Sequence, residues 1–253
     1  MPFYFYIIYF FLGFLPSFIW LLFYLRKDSR PEPNKMVIKV FWIGILSAIS
    51  TALVQNGIND LLSKYVKIES FFPSFFNSFL YYFFVISFTE EFFKYFFVKE
   101  TIFKSKELDE PVDIILYMII GALGFAALEN ALVLLLGLPF WESIIIIFFR
   151  FLGATFLHVL SSGILGYFIV LSLYEIKKRK LFFSMGLLFA VLLHTLFNFY
   201  IINIVKSLSD DFYDIYLFVF SVFILSFLLL GSALFISFGI KKAKEIKSIC
   251  KIK

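Results

Sequence analysis

Cysteine is almost missing from the sequence. Cys250 is the only one, which rules out an intrachain disulfide and leaves no CxxC or mixed Cys/His metal spacing. It stands fourth from the end, but Cys250-Lys251-Ile252-Lys253 lacks both the aliphatic residue after cysteine and the last residue of a prenylation signal. Histidine is scarce as well: with His158 and His194 alone there is no HExxH, and that zinc arrangement is out. Charge is thin, at 16% of residues against about 25% in an ordinary soluble domain. The hydrophobic share is 62%, where roughly 45 to 50% is usual. A mean hydropathy of +0.95 with no long polar block argues against a water-soluble globule. Residues 1–253 read as a single integral membrane domain.

What charge there is has a net value of +5. The basic residues cluster in short loops between apolar runs, so they report orientation in a bilayer and imply no nucleic acid. The forty Phe and fourteen Tyr need no ligand either, since they serve as lipid-facing filler. A bilayer core of roughly 30 Å takes about 20 apolar residues per helix. Seven runs of that order lie at about 3–25, 36–55, 72–98, 113–136, 143–173, 181–204 and 213–240. The expected fold is all-α, a polytopic transmembrane bundle of about seven spans. The loops after runs 1, 3 and 5 and the tail carry Arg26, Lys27, Arg30, Lys35, Lys39, Lys99, Lys104, Lys106, Lys177, Lys178, Arg179, Lys180 and the six lysines from Lys241 onward. The other side has only Lys64, Lys67 and Lys206. The positive-inside rule then gives N-out and C-in.

Ionisable groups at membrane depth cost about 2.5 to 3.5 kcal/mol each on insertion scales, so each needs a partner or a function. Run 3 holds Glu90, Glu91 and Lys94; run 4 holds Glu129 and Asn130; run 5 holds Arg150 and His158; run 6 holds His194 and Asn198. Lys94 is four residues from Glu90 and three from Glu91, within helical reach of either. Ala154, His158, Ser162 and Gly166 repeat every fourth residue, as do Gly186, Ala190, His194 and Asn198, which puts each histidine on a close-packing face. Glu129, His158 and His194 fall near mid-membrane. Glu91 joins them only if the third helix continues past Val98 to about Lys104, and that continuation is expected. Arg150 either snorkels or caps a carboxylate.

Carboxylates and imidazoles in a protected cavity suit hydrolysis of a peptide bond: Glu takes a proton from water, while His or Asn stabilises the oxyanion. No Asp lies deep in a run, so an aspartyl dyad is out. A serine route through Ser162 and His194 remains formally open. Proton- or ion-coupled transport is a further alternative, because Glu and His at the midplane also build proton relays. A membrane-protein scaffold that does not cut is another.

Four short patterns follow one another on successive runs: Glu90-Glu91-Phe92-Phe93-Lys94 as EExxK, Phe125 to Asn130 as FxxxEN, His158 with Gly166 as Hx7G, and His194 with Asn198 as HxxxN. In order and composition they resemble the PrsW-type intramembrane proteases, related to the CaaX-processing and bacteriocin-self-immunity proteases. The match covers about residues 80–200. EExxK, where the CaaX group carries EExxxR, and a Glu in FxxxEN favour the PrsW branch, with CaaX-type cleavage of prenylated proteins as the alternative. The resemblance implies an integral protein of a prokaryotic cell membrane whose partner is a single-pass substrate resembling an anti-sigma factor, cut on its extracytoplasmic side. It implies site residues Glu90, Glu91, Lys94, Glu129, Asn130, His158, His194 and Asn198. No cofactor is certain; Zn²⁺ held by Glu91, Glu129, His158 and His194 is one possibility. The other is direct action on water, favoured by the lack of two ligands at i, i+4 on one helix. Of the first two carboxylates, Glu91 is expected to polarise water while Lys94 holds Glu90.

Overall fold

A computed structural model describes residues 3–27, 30–65, 74–209 and 215–246. Lys67, Lys247, Cys250, Lys251 and Lys253, and the side chain of Lys206, lie outside the described residues. The described part is helical throughout, with no strand. The helices are α1 (Phe3–Leu25), α2 (Asn34–Tyr65), α3 (Ser74–Tyr81), α4 (Phe88–Ile102), α5 (Pro111–Leu134), α6 (Phe140–Leu152), α7 (Ala154–Tyr174), α8 (Arg179–Ser209) and α9 (Ile215–Glu245). A wide π-helical turn, Tyr82–Ser87, joins α3 to α4.

Helix α5 is the axis of the bundle. Almost every side chain from Pro111 to Ala127 is buried, which explains why this segment is apolar all round. Pro111 opens it, where its missing N–H costs nothing, and Asp113 Oδ2 accepts the free backbone N–H groups of Glu110 (2.6 Å) and Asp109 (3.1 Å). The main core joins α5 to side chains of α1, α2, α4, α7, α8 and α9. Close approach is built in by small residues. A Cβ on Gly44 of α2 would fall 2.0 Å from the carbonyl oxygen of Gly121 in α5, and one on Gly186 of α8 would fall 2.4 Å from Cβ of Phe168 in α7. The fourfold small-residue spacing around each histidine is thus a helix contact, as expected.

Six of the described helical stretches are long and apolar enough to cross a membrane: Tyr4–Leu25, Asn34–Lys64, Pro111–Leu134, Phe140–Tyr174, Ile176–Val205 and Ile215–Glu245. The expected run 72–98 is not among them, because Glu90, Glu91 and Lys94 interrupt its apolar character. Two expected boundaries shift. α2 runs ten residues beyond 55, since its polar face meets the α3–α4 unit: Gln55 Nε2 donates to Thr89 Oγ1 (3.1 Å) and Tyr81 donates to Asn59 Oδ1 (2.9 Å). The single run 143–173 is broken at Gly153 into α6 and α7. Indole Nε1 of Trp20 donates to the Phe151 carbonyl at 3.0 Å, satisfying a group next to that break. The third helix does continue past Val98, to Ile102.

One end of the bundle gathers the basic loops. Arg30 pairs with Glu110 at 2.8 Å, and Lys244 of α9 donates to the carbonyl of Lys27. At the opposite end the Tyr9 hydroxyl donates to the Leu138 carbonyl at 2.8 Å, so the start of α1 meets the α5–α6 turn.

Candidate active site

Helix α4 begins with a carboxylate pair. The π turn before it leaves carbonyls without regular partners; Thr89 Oγ1 donates to the carbonyls of Val85 (2.5 Å) and Ile86 (3.0 Å), which locks the turn. Glu90, Glu91 and Lys94 then face the bundle interior, and Glu91 and Lys94 are completely buried.

Glu91 is saturated. Its Oε1 accepts from Lys94 Nζ (2.8 Å), Ser161 Oγ (3.0 Å) and His194 Nδ1 (2.8 Å), and its Oε2 accepts from Ser162 Oγ (3.4 Å). Lys94 Nζ also donates to His158 Nδ1 at 2.7 Å and lies 4.3 Å above the Phe125 ring. It also lies 3.7 Å from Glu90 Oε2, so the expected ion pair with Glu90 is present, but the hydrogen-bonded and closer partner is Glu91. The i, i+3 spacing wins here because the Glu91 carboxylate points the same way as His158 and His194.

Lysine donation to His158 Nδ1 puts the ring proton on Nε2, which donates to Glu129 Oε2 at 2.7 Å. His194 gives its Nδ1 proton to Glu91, and its other nitrogen, Nε2, faces Glu90 at 3.7 Å. Glu90 Oε2 is buried and has no hydrogen-bond donor. Ligand atoms of Glu90, His158 and His194 lie within 4.8 Å of one another. One carboxylate and two imidazoles suit Zn²⁺, with His194 oriented by Glu91 on its far nitrogen as is usual for such a ligand; both nitrogens of His158 are engaged, so on that ring a metal would take the place of the Lys94 contact while Glu129 keeps Nε2. The orphaned Glu90 oxygen is the observation that makes this group fit a metal.

The group that could hold a metal differs from the expected one: it contains Glu90 and not Glu91, which already accepts four hydrogen bonds, and Glu129 stands outside it, against His158 and Arg150. Its three members come from α4, α7 and α8, so the missing i, i+4 pair does not speak against a metal. Ser162 turns its hydroxyl to Glu91 and not to His194, which leaves the serine route without its nucleophile–base hydrogen bond. Asn130 donates to Thr155 Oγ1 at 2.9 Å. Asn198, one turn past His194 on α8, is half-buried and makes no side-chain hydrogen bond among the described residues. Thus seven of the eight expected site residues form one network, and Asn198 borders it.

Ser161, Thr155 and the Gln55–Thr89 pair joined the site unannounced. Ser161 and Thr155 stand three residues after and before His158, on its own helical face, and that spacing was the available signal. Arg150 belongs here too. Its Nε donates to Asn130 Oδ1 at 2.5 Å, and its Nη2 lies 3.1 Å from Glu129 Oε1.

Comparison with known proteins identifies a family for the chain. The PrsW family intramembrane metalloprotease profile matches residues 32–228. Protease PrsW of Bacillus subtilis is 28% identical over 228 residues, covering 90% of this chain and 89% of the relative. Protease PrsW of Oceanobacillus iheyensis is 27% identical over 74% of this chain and 80% of its own. That of Clostridioides difficile is 29% identical, with 70% and 73% covered. No solved structure matches. By its matched length, and with four motifs on helices that converge in space, the chain belongs to the PrsW family of intramembrane metalloproteases.

Proposed function

We propose that this intramembrane peptidase, an integral protein of a prokaryotic cell membrane, cleaves a single-pass membrane protein such as an anti-sigma factor at the Glu90–His158–His194 centre. The observation that carries the site assignment is the buried, donor-free Oε2 of Glu90 beside two imidazoles at membrane depth. Glu90, His158 and His194 would hold Zn²⁺, which when bound supplies Lewis-acid polarisation of the carbonyl. Glu91 holds His194 in one tautomer and compensates Lys94, and Glu129 orients His158 through Nε2. Glu129 accepts the proton of the attacking water: its side chain is 37% exposed, whereas those of Glu90 and Glu91 are 11% and 0% exposed. Asn198, with its amide uncommitted, lines the approach to His194.

The test is cleavage of a single-pass substrate by the purified chain in proteoliposomes. A discrete product whose formation stops in Glu129→Gln is expected. No cleavage of any single-pass substrate, or full activity in that variant, overturns the proposal.

A further inference from the structure

The site has many hydrogen-bond donors, and apart from Arg150 and the Asn198 amide beside His194 nearly all are spent. Lys94 serves Glu91 and His158; Ser161, Ser162 and His194 Nδ1 serve Glu91; His158 Nε2 serves Glu129; Asn130 serves Thr155. Hydrolysis of an amide needs a donor for the oxygen that becomes negative in the tetrahedral state. Arg150 has one to give. Its buried Nη2 is ion-paired with Glu129 Oε1 at 3.1 Å without an in-line hydrogen bond, so of its two protons at least one is left for a further acceptor. The Nε bond to Asn130 fixes the plane of the guanidinium. Arg150 and Glu129 are also the charged members of the network with the most exposed side chains, at 18% and 37%. Unlike lysine, a guanidinium keeps its charge in an apolar site and donates in a rigid fork.

We infer that Arg150 is a further catalytic residue, which donates through Nη2 to the scissile carbonyl oxygen. This inference rests on the proteolytic reading above. As the water oxygen bonds to the carbonyl carbon, the C=O π pair moves to oxygen and the water proton to Glu129. Arg150 keeps its protons throughout and only donates hydrogen bonds. On collapse the C–N bond breaks, and the proton on Glu129 passes to the leaving amine.

The experiment uses the full chain in detergent with a peptide substrate, and two inhibitors of the same sequence: a peptide aldehyde, which hydrates to a tetrahedral centre, and the matching alcohol, which does not. In Arg150→Gln, kcat should fall by about 10²- to 10³-fold, the loss typical of one oxyanion donor. KM should stay within about threefold, and calorimetric affinity should fall for the aldehyde far more than for the alcohol. Arg150→Lys guards against misfolding: it keeps the charge but loses the fork, and should still lose at least about tenfold in kcat and in aldehyde affinity. Equal weakening of aldehyde and alcohol would mean a merely structural role and overturns the inference, as does full activity in Arg150→Lys. If the wild-type chain cleaves nothing, the proteolytic reading itself has failed, which is a separate result.

Discussion

His194 Nδ1 lies 2.8 Å from Oε1 of Glu91, and both groups are buried among apolar helices. This contact links α8 to α4 and leaves His194 Nε2 directed at Glu90. In the proposed site it makes Glu91 the positioning carboxylate and leaves Glu90 as the one able to bind a metal.

Glu90→Gln and Glu91→Gln should therefore fail differently. Glu90→Gln removes a ligand that no protein donor holds, so cleavage should be lost while thermal unfolding in detergent stays nearly unchanged. Glu91→Gln leaves the fully buried ammonium of Lys94 with only the more distant Glu90 carboxylate, at 3.7 Å, and breaking a buried pair costs about 3 to 5 kcal/mol. Its melting temperature should drop sharply. Equal melting temperatures for the two variants would contradict this division.

Metal content separates ligand from base. Purified chain should carry close to one equivalent of zinc, and His158→Ala, His194→Ala and Glu90→Gln should lose it. Glu129→Gln should retain the metal and lose at least about 10²-fold in rate, the lower bound for a general base. Elemental analysis of the four variants reads this directly; metal loss in Glu129→Gln would place that carboxylate among the ligands.

Lys94→Met should destabilise the protein, because Glu91 then remains ionised and buried with only neutral donors. Combining it with Glu91→Leu should recover much of that loss, since removing both charges of a buried pair is often neutral or stabilising. A double-mutant cycle on detergent melting measures the coupling. Additive losses would show that the two residues act independently.

Helix approach can be probed with one methyl group. Gly44→Ala places a Cβ 2.0 Å from the Gly121 carbonyl oxygen, which only backbone movement relieves, so a loss of about 1 to 3 kcal/mol is expected. Gly57→Ala in the same helix meets nothing within 4 Å and should be neutral or slightly stabilising. Matching effects at both positions would mean that α2 does not pack on α5 as described.

Orientation follows from labelling. In a cysteine-free background, cysteines replacing Leu138 and Trp141 should react with an impermeant reagent from outside the cell, and those replacing Lys177 and Lys244 should not. The reverse pattern would place the basic end of the bundle outside.

The sequence alone determined the class of the protein, because apolar runs of bilayer length and the rarity of charge are properties of composition. It also determined which polar groups matter: a charge at membrane depth is costly enough that Glu90, Glu91, Lys94, Glu129, His158 and His194 stand out without coordinates. Helical spacing placed each histidine on a packing face, and Gly186 against Phe168 shows why. Which partner each group takes was decided only by tertiary structure. Lys94 is within helical reach of both carboxylates, and His158 and His194, from α7 and α8, tip it toward Glu91. The break falls at Gly153, and the partner that meets the Phe151 carbonyl beside it, Trp20 from α1, is not encoded by any local pattern. Spacing along one helix fixes which residues share a face, but the choice among equivalent partners is made by side chains arriving from other helices, whose register no local pattern encodes.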